Sequence, residues 1–220
     1  MRKIIAFAGP KTSGKTTAME ALGAKYRDVH GLALAGHLKD VCAKIFSLDQ
    51  KLFHDQNLKE ADLAEYVELT PKKIEDIFIL FGLGDNDYNY DEHIRPHIGA
   101  ILETPRRLLQ YIGTEVLHPI DPLIHAKFLV KNLLPESGIV VLTDLRFKNE
   151  FEFFKTNYAK EFVPFHINST RAEMAAAGDK HPSEMQRHEF KADCIQLDNN
   201  STLYAFKDLV RKNLEEVYHA

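Results

Sequence analysis

The chain has 220 residues, of which 45% are apolar and 27% charged, the proportions of a soluble globular protein long enough to bury a sizeable core in one domain with an inserted part. Its 28 basic and 32 acidic residues leave a net charge of −4, which excludes a general electrostatic grip on a nucleic-acid polymer while leaving room for a local basic cleft. The two cysteines, Cys42 and Cys194, form no C-x-x-C pair, and no apolar run reaches signal-peptide or membrane-spanning length, so structural zinc and a membrane are excluded and a cytoplasmic location is expected.

Ile4 to Ala8 reads as a short buried strand, and Thr16 to Tyr26, with Met19, Leu22 and Tyr26 at helical spacing, as a helix. Gly31 to Ala35 is expected as a second strand, followed by an amphipathic helix through Leu38, Val41, Cys42, Ile45 and Phe46. Residues 47–103 are less regular and read as an insertion, with a helix from Pro71 to Phe81. Helix starts are announced by a capping residue and a proline at Thr70-Pro71, Thr104-Pro105 and Asp121-Pro122. Ile139 to Leu142 is the most strand-like run, with a helix from Phe147 to Asn157 after it and a strand from Phe162 to Ile167 beyond. Thr170 and Glu173 form a capping box for a short helix ending at Gly178, and another short helix follows His181-Pro182. Asp193 to Leu197 is read as the last strand, and Leu203, Phe206, Leu209, Val210 and Leu214 give the last helix its apolar face. Alternating strands and helices imply an α/β fold whose mainly parallel sheet is covered on both faces, with ligands beyond the carboxyl ends of the strands.

At the first such end stands GPKTSGKTT, residues 9 to 17. Gly9 and Gly14 allow backbone angles closed to other residues, so that successive amides point inward and form a concave anion site. The following helix adds its unpaired N–H groups, Lys15 a mobile charge for the outer phosphates of a nucleoside triphosphate, and Thr16 a hydroxyl for Mg2+. A glycine-rich turn with an exposed lysine is the plain alternative, which the flanking strand and helix disfavour.

Asp144 ends the most strand-like run and Arg146 follows two residues later, so both can face the same crevice; the carboxylate suits magnesium and the guanidinium a phosphate oxygen. In the helix after Thr104, Arg106, Gln110 and Gly113 share one face, fit either for a phosphate and a base edge or for plain solvation. Arg171, Lys180, His181 and Arg187 have the composition of a flap that closes over phosphates and excludes water. Asp85, Asp87, Asn89 and Asp91 imitate a calcium loop but place Tyr90 where glycine is needed and Pro96 where glutamate is needed, so calcium is rejected.

With GPKTSGKT at 9–16, LKDVC at 38–42, TPRRLLQYIGTEV at 104–116, TDLRFKNE at 143–150, HPSE at 181–184 and the closing ADCIQLDNNSTL, the chain resembles the bacteriophage deoxynucleoside monophosphate kinases, a branch of the P-loop nucleoside monophosphate kinases. The resemblance implies a P-loop NTPase three-layer sandwich of residues 1–220, with a helical substrate-binding insertion at about 37–118 and a lid at about 169–190. It implies that Lys15 and the loop from Gly9 through Lys11, Thr12, Ser13, Gly14 and Thr16 to Thr17 bind ATP. Asp144 and Arg146 would belong to the active centre with Arg171 in the lid, and Thr16 and Asp144 would hold Mg2+. Arg106, Gln110, Arg146, nearby Lys39 and His125 would serve a deoxynucleoside monophosphate, while the loop at Asn199 and Asn200 would lie beside the adenine. The chain departs from the family pattern at Leu117-His118, where an arginine often follows GTE, and at His125, where a tryptophan is frequent and base preference is at stake. A homodimer and, for a phage-encoded chain, the host cytoplasm are further implications. A P-loop kinase of another small acceptor, such as a dephospho-cofactor, and an ATPase or switch without an acceptor share the same loop.

Overall fold

The computed structural model describes residues 2–177, 186 and 188–219, and the chain divides into two compact units, Met1–Leu34 with Leu134–Ala220, and Ala35–Leu133. The first unit opens with β1 (Arg2–Ala8), α1 (Lys15–Gly23) and β2 (Val29–Leu32). The second contains α2 (Gly36–Ile45), α3 (Lys51–His54), α4 (Gln56–Glu60), β3 (Val67–Glu68), α5 (Pro71–Leu80), α6 (Tyr90–His93), β4 (Ile101–Leu102), α7 (Pro105–Gln110) and α8 (Ile124–Asn132). The chain then returns to the first unit with β5 (Gly138–Leu142), α9 (Lys148–Asn157), β6 (Phe162–Asn168), α10 (Thr170–Ala176), β7 (Ile195–Asp198) and α11 (Leu203–His219).

The first unit is built on a five-stranded sheet in the order β2-β5-β1-β6-β7, every pairing parallel. Successive side chains of a strand face opposite ways. Ile5 and Phe7, with Ile139, Val141, Phe165, Ile167 and Leu197, therefore form one face, on which Ala18 and Leu22 of α1 and Phe206, Val210 and Leu214 of α11 pack. On the other face Phe162 meets Phe151 and Phe154 of α9 at ring-centroid distances of 5.8 and 5.7 Å. Helices thus cover both faces, the α/β arrangement expected from the alternation of elements and consistent with a P-loop kinase fold. The inner strands β1 and β5 read as nearly unbroken apolar runs because both their faces are buried.

The second unit has its own core. Leu38, Val41 and Cys42 of α2, Ile74, Ile77 and Phe78 of α5, and Leu108, Ile112 and Val116 around α7 share one buried cluster, beside which β3 and β4 pair antiparallel. Thr70 and Thr104 cap α5 and α7 as their spelling predicts, each hydroxyl accepting from the amide three residues on, Lys73 and Arg107, at 3.3 and 3.1 Å, with proline at the first helical position.

Four local expectations are corrected. The second strand is Val29–Leu32 instead of Gly31 to Ala35, because Val29 to Leu32 pair with Ile139 to Leu142, while the Leu34 amide turns to Asp144 Oδ1 at 2.6 Å. The cap of α10 is Ser169, whose hydroxyl takes the Ala172 amide, one residue before the expected Thr170. Asp121-Pro122 opens a turn, in which Asp121 Oδ1 accepts from Leu123 N at 2.9 Å, and the helix begins only at Ile124. Finally, α7 continues as a π-helical stretch, Tyr111–Leu117, whose wider turns carry Gly113 off the Arg106–Gln110 face into the core against Leu38 and His125. The expected ends at Gly178 and the helix after His181-Pro182 lie outside the described residues. Among the described residues no helix is long and apolar enough to cross a membrane.

Candidate functional site

Residues 9–14 connect the end of β1 to the start of α1 by a turn that demands glycine at two points. Gly9 has φ 145° and Gly14 φ 106°, and Thr12 adopts φ 67° between them. A Cβ on Gly9 would stand 2.9 Å from the Ile167 carbonyl, and one on Gly14 2.6 Å from Asn199 Nδ2 and 3.1 Å from the buried Phe206 ring. Both approaches are closed to any side chain. Ser13 is fully buried inside the turn, and its amide donates to Pro10 O at 3.2 Å. Lys15 folds its ammonium back over the loop, donating to the carbonyls of Gly9 and Pro10 at 2.8 and 2.6 Å. Thr16 stands exposed in the first turn of α1, and Thr17 is half-buried beside it. Lys11 and Thr12 are exposed at the turn's tip.

The loop is held by the segment that follows the edge strand β7. Asn199 donates its amide side chain to Ser13 O at 2.7 Å and its backbone N–H to Asn168 O at 2.8 Å, while Asn200 Oδ1 accepts from Thr170 N at 2.8 Å. The segment after β7 therefore ties the loop after β1 to the loop after β6. Sequence reasoning set Asn199 beside a base; the structure also gives it this clamp, which spacing cannot reveal because the partners are 186 residues apart.

Asp144 and Arg146 lie in the turn after β5. Leu142, the last residue of β5, pairs with Ala6 of β1, and after a bend at Thr143 Asp144 lies two residues past the end of the strand that neighbours β1. Asp144 Oδ1 accepts the Leu34 amide, Leu145 is 2% exposed and anchors the turn inward, and Arg146 is exposed. Thr16, in the first turn of α1, and Asp144, in the turn after β5, offer oxygen donors of the kind that suits a hard cation such as magnesium. Among the described residues there is no cluster of three or more His, Cys, Asp or Glu that could hold a metal by itself.

One residue that sequence reasoning left without a role emerges here. Glu150 is 3% exposed, and its Oε2 accepts from the amides of Arg146 and Phe147 at 3.3 and 3.1 Å. Burial, with the Asp144 charge as the lesser cause, raises its carboxyl to about 8 against the opposing pull of the two amides. The available signal was a glutamate at the third position of a helix, the place from which such a side chain reaches back to the helix start. Nearby, the buried His166 Nδ1 lies 3.2 Å from Asn168 Oδ1, and Asn168 Nδ2 donates to Gln196 Oε1 at 3.1 Å.

The structure brings Gly9 to Thr17, Asp144, Arg146 and Asn199 to one end of the sheet in the first unit; Arg171 is exposed on α10 of the same unit. Lys180, His181 and Arg187 of the expected flap lie outside the described residues. Lys39, Arg106, Gln110 and His125 belong to the second unit. There Arg106 Nε bonds Glu60 Oε1 at 2.5 Å, and the adjacent Arg107 bonds Glu115 at 2.7 Å instead. Lys39 and Gln110 are half-buried. His125 is 5% exposed, its ring edge-on to Phe81 at 5.5 Å and 5.5 Å from the His118 ring. Its burial, helped by His118 and His37, lowers it to about 3, so it is neutral at physiological pH.

No family model matches the chain. Over 217 residues it is 29% identical to a protein of Acanthamoeba polyphaga mimivirus named "Putative deoxynucleotide monophosphate kinase", with 92% of this chain and 91% of that one covered. The likeness runs through both compact units, and it supports a nucleotide kinase as the general class of this chain.

Proposed function

We propose that the chain is an ATP-dependent deoxynucleoside monophosphate kinase, moving the γ-phosphoryl group of ATP to the phosphate of a deoxynucleoside 5′-monophosphate to give the diphosphate and ADP. The observation that carries this reading is the turn from Gly9 to Gly14, which joins β1 to the N-terminus of α1, with Asp144 just past the end of the neighbouring strand β5. Its amides and Lys15 take the triphosphate, and Asn199 holds the turn in the shape that binding needs. Magnesium, held by Thr16 and Asp144, would neutralise charge on the phosphates. The acceptor oxygen is already anionic near neutral pH, so no protein base has to activate it. What the side chains must supply is alignment and positive charge, from Lys15, Arg146 and the cations of the lid at about 169–190, Arg171 among them. Lys39, Arg106 and Gln110, in a substrate-binding insertion at about 37–118, are assigned to the acceptor, as is the buried His125 beyond it. The similarly sized mimivirus relative, by its printed name, favours the deoxynucleotide acceptor over other small molecules.

Coupled measurement of ADP release over the deoxyribonucleoside and ribonucleoside monophosphates tests the reading. ADP release that depends on a deoxynucleoside monophosphate is expected. Release with free phosphate and no acceptor would mark an ATPase, and release only with another small molecule would move the acceptor class; either result overturns the assignment.

A further inference from the structure

Helix α9 starts without the usual cap: Phe147 occupies the capping position, and its side chain has no oxygen to offer the first amides. Glu150 reaches backwards instead, and the two amides it accepts from belong to Arg146 and Phe147, which lie before the first helical residue. A serine or aspartate at position 147 would cap the helix at far smaller cost than a buried carboxyl. The Glu150 bonds hold the turn more than the helix. That turn carries Asp144 and Arg146, and it is fixed on its inner side by Leu145, which is 2% exposed. Burial raises the carboxyl to about 8, which favours the protonated form and so lessens the negative charge beside Asp144.

From this geometry we infer that Glu150 is a positioning residue for phosphoryl transfer: by fixing the Arg146 and Phe147 amides from beneath, it sets where the exposed Arg146 guanidinium stands. The inference rests on the kinase reading above. Arginine acts over a long side chain, so a small rotation of its backbone displaces the charge by an ångström or more, a misplacement that costs on the order of a hundredfold in rate.

The test is a double-mutant cycle on the full chain, with kinetics measured at saturating ATP. Glu150→Leu is expected to lower kcat by roughly ten- to a hundredfold, with the KM for ATP changed by less than about threefold. Glu150→Gln keeps a neutral acceptor oxygen and is expected to restore most of the rate. In an Arg146→Ala background the same Glu150→Leu change is expected to cost less than about threefold, because its effect passes through the missing guanidinium. Amide hydrogen exchange, read by NMR, is expected to quicken at Arg146 and Phe147 in Glu150→Leu. Circular dichroism checks the fold, and Glu150→Met, of similar volume and unbranched, replaces the leucine variant should that one not fold. Equal losses in both backgrounds, no rescue by glutamine, or unchanged exchange at the two amides would each overturn the inference with the kinase reading intact. A wild-type chain that transfers phosphoryl to no acceptor overturns the kinase reading itself, and the role of Glu150 in that reaction with it.

Discussion

Replacing Gly14 by alanine sets the strongest test of how the glycine turn before α1 is built. The residue has φ 106°, outside the region that L side chains adopt, so strain alone is worth roughly 1–3 kcal/mol. The new methyl would also come within 2.6 Å of Asn199 Nδ2 and 3.1 Å of Phe206. Phe206 is fully buried and cannot retreat, so Asn199 has to leave Ser13 O and surrender a hydrogen bond worth about 1 kcal/mol. Together these give a destabilisation of roughly 2–4 kcal/mol, which for a small domain is a fall of about 1–2 M in the urea midpoint. Gly23 is the matched control, since it ends the same helix with a negative φ and nothing within 4 Å of an added Cβ. Gly23→Ala is expected to leave stability unchanged or raise it by up to about 1 kcal/mol. Urea unfolding followed by circular dichroism, paired with ATP titration by calorimetry, reads both effects. Gly14→Ala with an unchanged midpoint and unchanged ATP affinity would show that neither the left-handed backbone nor the Asn199 clamp shapes the loop.

Arg146→Ala is expected to lower kcat by at least about a hundredfold while unfolding stays cooperative, and near-normal turnover would remove this arginine from the reaction. Glu60→Gln frees Arg106 from its ion pair and is expected to lower the KM for the acceptor by up to about fivefold, the most an exposed pair is ordinarily worth; an increased KM would argue against Arg106 as an acceptor contact. The third prediction concerns pH. His125 is lowered to about 3 in the fold, whereas its ordinary value is 6.5, so the unfolded chain binds the extra proton between those limits. The stability that goes with neutral His125 is complete above the ordinary histidine value and declines as pH falls, by up to about 1.4 kcal/mol per pH unit. His125→Leu should flatten the acid side of a plot of urea midpoint against pH, with His118 and His37 left in place. An unchanged slope would mean that the ring is not held neutral by its surroundings.

Signals confined to a few neighbouring residues were legible before any coordinates. GPKTSGKT marks two backbone angles that only glycine adopts easily, and Thr70-Pro71 and Thr104-Pro105 mark helix starts; each requirement is met within one turn of chain. The same kind of reasoning erred by a residue or two where tertiary pairing competes with local preference. Gly31 to Ala35 looked like a strand, but the partner β5 aligns Val29 to Leu32, and Asp144 draws Leu34 out of the ladder. Gly113 looked like part of a polar helix face until a π-helical stretch, invisible in spacing, turned it inward.

The amino-acid sequence by itself determined the phosphate-loop backbone, the alternation of strands and helices, and the apolar stripes of α2 and α11, because periodicity and allowed dihedral angles are properties of short segments. Tertiary structure alone decided that Asn199 clamps Ser13, that Glu150 reaches beneath Arg146, and that His125 is a buried neutral ring. Each of these depends on which strand neighbours which and on what excludes water around a polar atom, and neither is encoded by the residues adjacent in the chain.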